Sequence, residues 1–191
     1  MLVWIGEIWN FFEAVVALWS GIGAGSVALI GFGFDSILEL AAGGILIWRL
    51  QTKWENSEEE SSGERKAHKL VGITFFVLAV YILIHSVATL FGVFREPEQT
   101  LVGIMLIIAS AFVMTALYFQ KITIADKIGS RALKAEAKET LVCDLQDLTV
   151  LVGLAANFLL GWWWADPVAA LGLIPFLIKE GLEGMAGEDD E

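Results

Sequence analysis

Six apolar runs, each about as long as a helix needs to cross a bilayer, follow one another along the chain over residues 2–20, 25–48, 70–93, 100–120, 139–162 and 166–184. A hydrocarbon core of about 30 Å takes roughly 20 residues at helical rise. Backbone groups in lipid must bond within their own segment, so runs of this length fold as helices. The expected fold class is all-α and integral to the membrane: one six-helix unit over residues 1–185, followed by a short acidic tail over 186–191. Of the 191 residues, 57% are hydrophobic and only 18% are charged, which exceeds the apolar share of a soluble domain. The spans leave little chain for a soluble catalytic domain. The first run carries Glu7 and Glu13, has no basic start, and leads into the second without a small-residue cleavage site. It reads as a retained helix rather than a signal peptide.

The connections set the expected orientation. Residues 20–25 and 94–99 are short turns, whereas 49–69 and 121–138 are polar, the latter expected to be a partly helical connector. Arg49, Lys53, Arg65, Lys66 and Lys69 lie in or beside the first polar connection. Lys121, Lys127, Arg131, Lys134 and Lys138 lie in the second, Lys179 is near the end, and Arg95 alone is on the opposite side. Basic residues collect in cytoplasmic loops and acids carry little weight, so both termini and both polar connections are expected in the cytoplasm of a multi-pass cell-membrane protein. Trp4, Trp9, Trp19, Trp48 and Trp162-Trp163-Trp164 fall near span ends, where indole rings anchor at the interface. The formal charge of −11 arises largely from Glu58-Glu59-Glu60 and Glu188-Asp189-Asp190-Glu191, runs that read as solvated segments. No basic stripe or recognition motif suggests nucleic acid. With the single Cys143, neither an internal disulfide nor a Cys-x-x-Cys metal site is available.

Against this apolar background the carboxylates stand out, because an ionisable group at lipid depth is costly and marks an ion, a pathway or a partner. In the second span Asp35 and Glu39 are spaced i, i+4, so both project from one face about 6 Å apart along the axis. Gly31 and Ala42 share that stripe and admit a close neighbour. In the fifth span Glu136, Thr140, Asp144 and Asp147, with Cys143 among them, fall within roughly 80° of one another. These two spans run in opposite directions, and their acids come to nearly equal depth. Two adjacent helices would bring three or four oxygen donors around one cation, whose charge offsets their repulsion and desolvation. No lysine or arginine is expected in the interior of any span to pair with them. Glu13 is open between an outer ligand, a proton carrier and a group satisfied by Ser or Asn on another helix. His85 reads as a hydrogen-bonded core residue ahead of a ligand, and His68 as an exposed loop residue. Asp166-Pro167 at the start of the sixth run reads as a helix N-cap followed by proline at the first helical position.

The segment Ser26-Val-Ala-Leu-Ile-Gly-Phe-Gly-Phe-Asp35-Ser-Ile-Leu-Glu39 resembles the second transmembrane helix of the cation diffusion facilitator family, where an H/D-x-x-x-D pair supplies metal ligands. Ala135-Glu-Ala-Lys-Glu-Thr140-Leu-Val-Cys-Asp144 is similar to that family's fifth helix, with Asp144 on the second acidic position and Thr140 where His or Asp is usual. Trp164-Ala-Asp166-Pro167-Val-Ala-Ala-Leu171 looks like the opening of its sixth. The resemblance implies a divalent cation efflux transporter in a short form without the family's C-terminal cytoplasmic domain, exchanging Zn²⁺, Mn²⁺ or Fe²⁺ for protons by alternating access. Asp35, Glu39, Asp144 and Asp147 are the expected metal ligands, with Thr140, Glu13 and His85 in reserve. No prosthetic group is expected; the partners are lipid, the transported ion and protons, with a homodimer left open. Metal binding needs deprotonated carboxylates, so proton and metal compete for one site. A membrane-embedded metal-dependent enzyme is the first rival, but the acids lie deep and no Ser-His pair or HExxH is present. A non-transporting adaptor or channel subunit is the second.

Overall fold

The structure, a computed structural model, describes residues 2–51, 57–128 and 131–186. The side chains of His68, Glu136, the two acidic runs and the basic residues 49–66 and 131–138 lie outside the described residues. Among the described residues every regular element is helical: α1 (Leu2–Ala24), α2 (Val27–Gln51), α3 (Ser57–Leu90), α4 (Leu101–Ile128), α5 (Arg131–Leu160) and α6 (Ala165–Ala186). The segments Val27–Ile45, Lys69–Leu90, Leu101–Lys127 and Thr140–Leu160 are long and apolar enough to cross a membrane. This is an all-α, multi-pass membrane protein.

The helices outrun the apolar segments on one side of the bundle. Residues 57–69 and 121–138, expected as polar connections, largely continue α3, α4 and α5. Their Glu, Lys, Arg and Ala content favours helix whether or not lipid surrounds it. On the opposite side the turns are short and tied down. Gly25 ends α1 with φ +65°, a left-handed conformation that glycine adopts without a Cβ clash. There the Ser26 N–H bonds the Gly21 carbonyl at 3.0 Å, a Schellman closure. The loop after α3 is held from both sides: the Glu98 N–H donates to the Ala24 carbonyl at 2.8 Å, and Asn157 Nδ2 donates to the Pro97 carbonyl at 3.0 Å.

Packing places α2 at the centre, in contact with α1, α3, α5 and α6, while α4 lies against α5 and α1. Val27, Leu29, Phe32, Ile82, Ile107, Val150, Leu154, Leu173 and Leu177 fill the core. Glycine makes the tightest crossings. A Cβ at Gly31 would lie 2.9 Å from Ile82 Cδ1, and one at Gly72 would lie 2.8 Å from the Gly181 carbonyl oxygen, so α2–α3 and α3–α6 approach as closely as small-residue membrane interfaces do. The outer surface carries Phe112, Leu159 and many other exposed apolar side chains. Such a surface is an aggregation hazard in water and an ordinary one in lipid.

Asp166 departs from its expected role. It lies in the first turn of α6 but serves the start of α2: its carboxylate accepts the Ser26 hydroxyl, the Val27 N–H at 2.9 Å and the Ala28 N–H at 3.3 Å. A free helix N-terminus needs acceptors, and the packing of α6 on α2 brings this one from far along the chain. Asp166 therefore caps a neighbouring helix and ties the two together.

Candidate metal centre

Asp35, Glu13 and Asp147 are buried at 8%, 1% and 4% exposure, and Glu39 and Asp144 are half-buried. They come from α2, α1 and α5 and lie in the middle reaches of the bundle. Glu39 lies in the field of Asp35, Glu13 and Asp147, with the Cys143 thiol beside its carboxylate. Asp147 lies in the field of Glu13, Asp144 and Asp35. The carboxylates that sequence spacing singles out thus share one electrostatic neighbourhood.

Hydroxyls of α4 orient the α5 acids. Ser110 Oγ donates to Asp147 Oδ2 at 2.7 Å, and Thr115 Oγ1 donates to Asp144 Oδ2 at 2.7 Å. One donor apiece leaves acceptor capacity on a carboxylate. Asp144 Oδ1 and Glu13 Oε1 are buried without a hydrogen-bond partner among the described residues, as is Asn10 Oδ1 on the same helix as Glu13. Unpartnered buried polar groups are costly in a folded chain, and the donors Trp9 Nε1 and Gln146 Nε2 are left without a partner among the described residues as well. No group of three His, Cys, Asp or Glu side chains among the described residues is close enough to hold a metal ion. The acids are near one another without converging on a single coordination shell.

Thr140 and His85 make other contacts. Lys121 of α4 is 6% exposed, and its Nζ donates to Thr140 Oγ1 at 3.0 Å. The helix α4 runs on past residue 120, and its stretch long and apolar enough to cross a membrane, Leu101–Lys127, includes Lys121, a buried cation that the expected span of residues 100–120 leaves out. The ammonium occupies the Thr140 hydroxyl one turn of α5 from Asp144. His85, near the end of α3, stacks on Phe94 at 4.5 Å and packs against Tyr81, with Thr89 Oγ1 3.4 Å from Nδ1. The ring is half-buried.

Ser110, Thr115 and Lys121 escaped sequence reasoning. Ser110 sits between Ala109 and Ala111 and reads as a small packing residue. Lys121 follows Phe119-Gln120, and only the continued apolar positions Ile122, Ile124 and Ala125 signal that the helix goes on.

Comparison with known proteins places the chain in a family. The cation efflux transmembrane domain profile matches residues 3–185. An uncharacterized transporter of Synechocystis is 28% identical over 154 residues, covering 78% of this chain and 49% of the relative. Metal tolerance protein 11 of Arabidopsis thaliana is 27% identical over 191 residues, covering 92% of this chain and 45% of the relative. Metal tolerance protein 4 of Oryza sativa subsp. japonica is 29% identical over 183 residues, covering 88% and 44%. The chain spans about half the length of the curated relatives it matches.

Proposed function

Because the chain belongs to the cation efflux family, we propose that it carries a divalent metal ion of the Zn²⁺, Mn²⁺, Fe²⁺ series across a membrane in exchange for protons. All six helices span the bilayer in this reading, with both termini and the extended ends of α3, α4 and α5 in the cytoplasm. The observation that carries it is the buried carboxylate group: Asp35, Glu39, Asp144 and Asp147, with Glu13 beside them, inside an apolar bundle. Carboxylates held in low dielectric release their protons when a divalent cation arrives and regain them when it leaves. Alternating exposure of the group to the two sides turns that competition into coupled exchange.

An enzyme reading gains nothing from the site. A metal-dependent hydrolase needs an open coordination position and a base or nucleophile in reach, and the hydroxyls beside the acids, Ser110 and Thr115, already donate to Asp147 and Asp144. The test is flux into liposomes loaded with a metal-sensitive dye. The wild-type chain is expected to move Mn²⁺ or Zn²⁺ under an imposed pH gradient and to slow as the pH on the metal-loading side falls from about 8 to about 5.5. Asp35→Asn and Glu39→Gln are each expected to lower flux by about a hundredfold or more, as loss of a charged ligand should. Undiminished flux in both variants would remove α2 from the ion path, and flux indifferent to pH would remove the protons.

A further inference from the structure

We propose that Glu7 is the entry residue of the ion path, a carboxylate that takes a still-hydrated divalent cation at the cytoplasmic end of α1 and α2 and passes it to Glu39. The inference rests on the transport reading and its orientation, and it adds a residue outside the set Asp35, Glu39, Asp144 and Asp147.

Three close approaches fix how α1 and α2 lie along each other. A Cβ at Gly21 would lie 3.0 Å from Ile30 Cγ1, one at Gly33 would lie 2.9 Å from Leu18 Cγ, and one at Gly43 would fall on the Glu7 carboxylate. The partners step back along α1 as they advance along α2, so the helices run antiparallel in one register from their connecting turn to Gly43. That register puts Asn10 level with residues 40–41.

Gly43 stands four residues after Glu39, which stands four after Asp35. The three positions share one stripe of α2, with about 6 Å of rise between neighbours. The first two carry their own carboxylates. The third has no side chain, and Glu7 of α1 fills the notch, which extends the line of acids by one turn. Asp35 is buried, whereas Glu39, Gly43 and Glu7 are half-buried. The line therefore opens toward the end of the bundle where α3, α4 and α5 run on as polar helix. The opposite end carries the short, tied-down turns. A half-buried carboxylate keeps water on part of its surface and holds a cation through the ion's own hydration shell, which a hard divalent ion gives up reluctantly.

Asn10 marks the step between Glu7 and the inner acids. It follows Glu7 by three residues on α1, a spacing that puts the two side chains about 5–6 Å apart. The residue is 7% exposed, and its Oδ1 is buried without a hydrogen-bond partner among the described residues, at the level between Glu39 and Gly43. An amide oxygen in that place suits an ion that takes carbonyl oxygen as readily as carboxylate.

The experiment follows Mn²⁺ association with the purified full chain in detergent by stopped flow, using a weak, fast-exchanging metal-sensitive dye. Mn²⁺ bound at equilibrium is counted from the loss of the free-ion electron paramagnetic resonance signal. Glu7→Gln and Gly43→Ala, whose new methyl displaces only the flexible end of Glu7, should each slow association by about fivefold or more at low ionic strength. The number of ions bound should not change, and at about 0.5 M salt the rates should come within about twofold of wild type. The double variant should be no slower than either single one, because both remove the same carboxylate from the same seat. Gly44→Ala, where a Cβ meets open space, should match wild type. Either Glu7→Gln or Gly43→Ala decides the matter if the other does not elute as a folded, helical protein. Wild-type association rates would overturn the entry role, and so would loss of a bound ion at equilibrium in Glu7→Gln, which would make Glu7 part of the binding site itself. Slowed association in variants of a protein that moves no metal in liposomes would sink the transport reading and leave Glu7 as the entry to a metal-binding site.

Discussion

Lys121 brings an ammonium group within 3.0 Å of the Thr140 hydroxyl, one helical turn from Asp144. Oxygen ligands suit harder ions such as Mn²⁺ and imidazole suits Zn²⁺, so Thr140→His would shift preference toward Zn²⁺ if residue 140 simply faced the ion. With Lys121 in place the neutral imidazole accepts the ammonium N–H in place of the Thr140 hydroxyl, which occupies the ring lone pair that a metal would take. Thr140→His alone is therefore expected to leave the Zn²⁺/Mn²⁺ transport ratio within about twofold, and Thr140→His with Lys121→Met to raise it by about tenfold. Competition flux on the two variants checks this; a full shift in the single variant would mean that Lys121 swings aside. Asp35 and Glu39 were legible in the sequence because a charge in an apolar run is conspicuous on its own. Lys121 and Ser110 were not, because their importance lies in which side chain of another helix they touch.

Between elements, the link from α6 to the start of α2 adds to the local cap, in which Ser26 Oγ accepts the Leu29 N–H at 3.1 Å. Charge-assisted bonds to backbone N–H are the stronger kind, and three donors meet on Asp166. Asp166→Asn is expected to lower stability by about 2 kcal/mol, and Ser26→Ala by about 1 kcal/mol. In thermal denaturation of the purified protein the double variant should cost less than the two losses added, since both remove one shared bond. Full additivity would show that Ser26 and Asp166 act apart. The Asp-Pro pair had announced a helix start correctly, as α6 begins at Ala165. Capping rules state what a helix start requires, not which helix an acidic side chain will serve, and that choice is made by tertiary packing.

Across the whole molecule the apolar runs foretold the helical class and the order of elements, because lipid allows little else. They did not foretell the helix lengths: polar helix formers carry α3 back to Ser57 and α4 on to Ile128, beyond anything hydropathy registers. The proposed orientation puts those extensions in the cytoplasm. A cysteine introduced at Ser61 in a Cys143→Ser background is expected to stay unlabelled by an impermeant thiol reagent in intact cells, and to label once the cells are opened; labelling in intact cells would invert the topology. The Asp166 bridge also sets a timetable for biogenesis. Its two ends are 140 residues apart, so at ribosomal speeds of about 5–20 residues per second the start of α2 waits roughly 7–28 s for its acceptor to be synthesised. During that interval the helix bearing Asp35 and Glu39 lacks the acceptor for its Val27 and Ala28 N–H groups, and its final seat is fixed only when the last helix arrives.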